Sequence, residues 1–321
     1  MELIKNIQNY WLLDKPILQS DNMIIGLDNV IKYTDYSINY FKNNLYFFSN
    51  NKLYDSSLNL IIEDDAENIS FINGYYYSFQ RIQNKFRHRF LKNGITHWEI
   101  CDSSRTINPP EQLIFRQELT TSEIFKRDIE TGKTLWAFSV KELGKYSDWE
   151  GKHEGKIDGK IFECQGVLIM RITENQLIGI DNKTGKLLWK KQYPPIVFYY
   201  GKHNDEFYVM HESFCLLNPL TGKETPRFSF LSVFEKEAVE NYCVQLFSDK
   251  YMYTIGRWDL NILQWDKQTG EIVWKQELHP KMRKGRHGVT LKGDVVDPVQ
   301  FANGKLYVLD SMKNLHIFER E

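Results

Sequence analysis

The chain has 321 residues, 42% of them hydrophobic and 14% aromatic, which is enough apolar side chain for a large core. Lys and Arg number 41 against 42 Asp and Glu, a formal net charge of −1, so there is no global positive field to attract nucleic acid. No run approaches the roughly 18 consecutive apolar residues of a membrane-spanning helix.

Met1-Glu2-Leu3-Ile4-Lys5-Asn6 lacks a basic start followed by an apolar run and a small-residue cleavage site, so the chain reads as cytoplasmic, without a secretion signal. Two short apolar runs follow, Tyr10–Leu13 and Met23–Leu27. A weak turn signal lies at Asp55–Asn59, and Asn93-Gly94-Ile-Thr-His-Trp98 places a Trp four residues past a Gly. That offset recurs in a longer pattern, Asp-x-x-Thr-Gly-x-x-x-Trp. The three full copies are Asp128…Thr131-Gly132…Trp136, Asp181…Thr184-Gly185…Trp189 and Asp266…Thr269-Gly270…Trp274. A fourth, Asn218…Thr221-Gly222…Pro226, keeps the turn and loses the Trp. Gly94, Gly132, Gly185, Gly222 and Gly270 are 37 to 53 residues apart, the period of four-stranded blades with variable loops. Strand-like runs precede the motifs, as in Gly166–Ile172, Glu206–Met210 and Lys250–Ile255. The last unit, Asn303–Asp310 then Asn314–Phe318, stops where a fourth strand is due, and Tyr10–Leu13 or Met23–Leu27 can supply it.

The motif has a physical reading. The Asp carboxylate accepts hydrogen bonds from the backbone of the coming turn. Gly takes a positive φ at little cost. The next strand begins at once and carries the Trp out to wedge against a neighbouring element. Such a hairpin cannot bury both faces alone, and stacking copies around an axis solves that. The expected fold is an all-β propeller of about seven four-stranded blades, with six or eight also open, one domain over residues 1–321. An N-terminal strand completing the last blade would close it and remove an open edge.

The repeated Asp-x-x-Thr-Gly-x-x-x-Trp resembles the repeat of the pyrroloquinoline-quinone (PQQ) family of propellers, most clearly over residues 90–280. The resemblance implies a propeller. It does not imply catalysis, because the same repeat builds non-enzymatic members, including the lipoprotein scaffold of the outer-membrane β-barrel assembly machine. Many enzymes of the family carry adjacent cysteines beside the quinone, and they need a carboxylate and amide cluster for calcium. Cys101, Cys164, Cys215 and Cys243 are far apart, and no matching acidic cluster is evident, so no cofactor is expected. Cys164, Cys215 and Cys243 lie in apolar runs and read as buried thiols.

Three long connections lie between repeats, near 140–160, 231–241 and 279–298, on one face if the strand order is as read. The first carries Tyr146, Trp149 and His153, aromatic side chains that suit a protein partner or pack the loop itself. The third carries Lys281, Arg283, Lys284, Arg286 and His287, a basic cluster suited to phosphate, an acidic polysaccharide or an acidic protein surface. Asp294 and Asp297 form a channel acid–base pair or cap a turn before Pro298. His153, His203, His211, His279 and His287 show no i, i+4 pairing and no metal-ligand spacing. The reading that joins these features is a protein-binding propeller, a scaffold or an inhibitor or immunity-type protein, using Tyr146, Trp149, His153 and the basic cluster. The alternative is a carbohydrate-active hydrolase or lyase with channel carboxylates. A quinone-dependent dehydrogenase would need calcium ligands and a Trp floor in the channel.

Overall fold

The structure is a computed structural model. It describes strand backbone between residues 2 and 319, and side chains in 75–92, 95–104, 115, 121–194, 200–229, 247–255, 262–277, 306–308 and 316–318. All regular structure among the described residues is β-strand, in eight four-stranded sheets and two two-stranded hairpins. Seven of the sheets are simple meanders, within 10–31, 37–63, 68–102, 104–139, 157–192, 199–229 and 243–277. The eighth takes its strands from both ends of the chain. Val295–Ala302, Lys305–Asp310 and Asn314–Glu319 follow in order, and Glu2–Gln8 pairs antiparallel with the last of them.

One sequence expectation is corrected here and one is narrowed. Tyr10–Leu12 and Met23–Gly26 do not complete the last sheet; they belong to a sheet of their own, and Glu2–Gln8 takes the outer place instead. That extra sheet is why four-stranded sheets number eight where the repeat count gives about seven. The chain divides into two compact units, one of 1–36, 210–216 and 225–321, the other of 37–209 and 217–224.

The turns follow the expected chemistry. Asp128 Oδ1 accepts from both the N–H and the hydroxyl of Thr131 at 2.8 Å, and Asp181 does the same for Thr184 at 2.6 and 2.9 Å. Asn218 and Asp266 each accept from the backbone N–H of their Thr at 3.1 Å. These bonds satisfy turn amides that no strand partner reaches. Gly132, Gly185, Gly222 and Gly270 all sit at φ between +68° and +73°, the left-handed region.

Each of these glycines is also the seat of an aromatic ring from the preceding sheet. Trp98 covers Gly132, Trp136 covers Gly185, and Trp189 covers Gly222. The indole N–H groups donate to turn carbonyls, Trp98 to Ile129 at 2.7 Å, Trp136 to Asn182 at 3.0 Å and Trp189 to Pro219 at 2.6 Å. The dock therefore joins a ring, a missing Cβ and a hydrogen bond. The fourth copy has Pro226 where Trp is expected, yet its dock is filled. Phe228, two residues further along the same strand face, lies on Gly270.

Burial differs across each sheet. The second strand of the sheet at 157–192, Val167–Ile172, is buried on both faces except at Arg171, because sheets flank it on either side. Outer strands alternate, as in Ile272–Glu277. One core cluster joins Ile124 and Trp136 of one sheet to Ile161, Met170 and Ile178 of the next. Cys164 and Cys215 are buried cysteines outside any disulfide, as expected, and Cys101 is an exposed one. Cys243 lies in the strand Cys243–Phe247, with its side chain outside the described residues. Among the described residues no helix is long and apolar enough to cross a membrane.

Candidate functional site

The connection between the sheets at 104–139 and 157–192 has a pinned base and a protruding tip. At the base, Val140 is buried and its N–H donates to Ser122 O at 2.8 Å. Gly144 and Gly155 cross in backbone contact, too close for a Cβ on either. The Thr173 hydroxyl donates to Gly144 O at 2.6 Å, and Gly155 N–H donates to Lys141 O at 2.9 Å. Above this crossing the strands Tyr146–Asp148 and Gly151–His153 form a hairpin, with Tyr146 opposite His153 and Asp148 opposite Gly151.

The tip is braced from within. Asp148 Oδ1 accepts from Glu150 N–H at 2.8 Å and meets His153 Nε2 at 2.7 Å. The Tyr146 and His153 rings stack with centroids 4.7 Å apart. The His153 bond, the largest influence, holds the Asp148 carboxyl below its usual range. Trp149 makes no part of this brace and is 90% exposed. Of the loop-packing and partner-anchoring roles open from sequence, Tyr146 and His153 take the first and Trp149 is left free for the second. Asp148, Glu150 and His153 each offer a donor atom, all within 4.8 Å of one another.

The basic cluster is only partly described. Arg283 and Lys284 form a short strand opposite Leu291 and Thr290, so this connection carries a hairpin too. Lys281, Arg286 and His287 lie outside the described residues, as do the connection at 231–241 and Asp294. Asp297 lies in the strand Val295–Ala302, where the pairing jumps from Val296 to Gln300. The same jump occurs between Ile157 and Ile161, which sets Asp158, Gly159 and Lys160 opposite Arg171 alone. Asp158 pairs with Arg171 at 2.8 Å. Sequence reading missed this pair. Its signal is an Asp-Gly dipeptide inside an apolar alternation, which marks a bulge.

A second polar group was also missed because it lies inside the core. His88 is fully buried; its Nε2–H donates to Ser104 O at 2.9 Å, and its Nδ1 accepts from the Tyr77 hydroxyl at 2.7 Å. Asp102 Oδ1 is 3.7 Å from Nε2, and Arg127 binds the same carboxylate at 2.5 Å. Burial pushes the His88 pKa down, and the pull of Asp102 does not offset it. With both ring nitrogens satisfied and no solvent access, His88 acts as a structural residue.

No family model matches this sequence, and no curated protein does. Solved structures do. BamB from Moraxella catarrhalis superposes with a TM-score of 0.59 at 12% identity, over 99% of each chain. The computationally designed Ika8 protein gives 0.56 at 11% identity, over 99% of this chain and 98% of its own. Sqt1 from Saccharomyces cerevisiae gives 0.54 at 12%, over 96% and 93%. With its all-β sheets, the chain has the fold of a β-propeller.

Proposed function

We propose that the chain works as a single PQQ-like propeller domain that binds another protein, as a scaffold or as a cytoplasmic inhibitor or immunity-type protein. The observation that carries this reading is Trp149, 90% exposed at the tip of a hairpin whose base and flanks are fixed. A large ring held in water on a rigid support is set for burial against a partner. It loses little entropy on docking, and Trp is enriched among the residues that dominate interface energies. The basic connection at 279–298 would add charge complementarity to the same function.

The test is capture from native lysate by the tagged protein, beside Trp149→Ala and a variant with Lys281, Arg283, Lys284 and Arg286 all changed to Ala. The expected result is one stoichiometric protein partner whose affinity falls by about 2 kcal/mol, roughly 30-fold in Kd, with Trp149→Ala. Absence of any stoichiometric protein overturns the reading and directs screening to carbohydrates.

A further inference from the structure

We propose that the hairpin tip binds one divalent transition-metal cation of the zinc type through Asp148, Glu150 and His153. The observation is the spacing Asp148-x-Glu150-x-x-His153 folded over a tight turn. Two carboxylates leave the turn at its first and third positions, and the imidazole returns from the opposite strand. Their donor atoms lie within 4.8 Å of one another. A zinc ion sits about 2.0–2.2 Å from such donors, so they must draw to roughly 3.3 Å apart. The hairpin pairing holds the backbone, so this adjustment falls to the three side chains.

The donor set selects the ion. Calcium takes about six to eight oxygens and magnesium prefers oxygen and water, whereas an imidazole with two carboxylates suits zinc, nickel or copper. Tyr146 stacks on His153 and holds the ring in line, the part that an outer-shell neighbour plays in protein metal sites. The hydrogen bond between His153 Nε2 and Asp148 is displaced when the ion arrives, and the proton moves to Nδ1 or to solvent. Three protein donors on an exposed tip leave a coordination position open to water. The spacing escapes a sequence search for paired histidines, because the two ligands other than His153 are carboxylates. The ion site shares its hairpin tip with Trp149 but uses different side chains, and it does not depend on the proposed protein binding.

The experiment uses the untagged full chain, stripped with EDTA and exchanged, titrated with zinc chloride by calorimetry. The expected result is one site per chain, at least tenfold weaker in His153→Ala and in Asp148→Asn. Tyr146→Ala should weaken it about tenfold. Circular dichroism of each variant checks that the sheets are intact. Nickel chloride should quench part of the tryptophan fluorescence, and that part should vanish in Trp149→Phe while calorimetric binding persists. Unchanged affinity and stoichiometry in His153→Ala would place the ion on other side chains and overturn the proposal. So would the absence of any site tighter than millimolar.

Discussion

Gly185→Ala tests the dock most directly. A Cβ at this position would lie 2.7 Å from the ring of Trp136, on a backbone with φ of +73°. The left-handed backbone costs an L-residue about 1 kcal/mol. Crowding a well-packed ring adds about 1–3 kcal/mol. The substitution should therefore destabilise by about 2–4 kcal/mol. Trp136→Ala alone should cost about 3–5 kcal/mol, since it empties a buried site and breaks the bond to Asn182. In the Trp136→Ala background the ring atoms are gone and only the Cβ of residue 136, 2.9 Å away, still crowds the added methyl, so Gly185→Ala should cost the backbone part and a reduced share of the crowding. The cycle predicts a coupling of about 1–3 kcal/mol. The assay is guanidinium unfolding followed by far-UV circular dichroism, which is insensitive to the lost indole. Equal costs of Gly185→Ala in both backgrounds would refute the reasoning, because the glycine would then serve the turn and not the ring.

Phe228→Ala should destabilise by about 2–4 kcal/mol and Pro226→Ala by less than about 0.5, since Phe228 holds the fourth dock; thermal unfolding of both separates the positions. Thr121 is β-branched at φ of +52°, so Thr121→Gly should raise stability by about 0.5–1 kcal/mol in a melting scan, and a lowered midpoint would argue against strain there. His88 has a folded-state pKa below its ordinary 6.5, so the unfolded chain takes up the proton first. Its contribution is full above about pH 6.5 and is lost as the pH falls through the folded-state value. His88→Gln should flatten the stability profile below about pH 6.5, and parallel profiles would contradict it.

What was legible in the sequence was local. The Asp, Thr and Gly of each turn interact within five residues, and the Trp sits at a fixed offset, so the repeat announces both the hairpin and the dock. The sheet at 10–31 lacks Thr-Gly, its Trp11 has no Gly four residues before it, and its strands are two to four residues long, too short for a period to show. Phe228 was missed because the motif asks for a ring four residues past the Gly. The physics asks only for a ring on the right strand face, and the alternation of a strand offers that again two residues later. The tip of the first connection was legible as an aromatic loop, but the division of labour inside it was not. Only the pairing of Tyr146 with His153 shows which ring braces and which is left out.

The pairing of Glu2–Gln8 with Asn314–Glu319 has a consequence for synthesis. Glu2–Gln8 leaves the ribosome long before Asn314–Glu319 and has no partner until that strand has been made. Local hairpins can form as they emerge, but this sheet can be completed only once Asn314–Glu319 has emerged as well. For that interval Glu2–Gln8 is an unpaired segment open to chaperones or to another nascent chain. Slowing translation should therefore do little to help the eighth sheet, while helping the seven that are local.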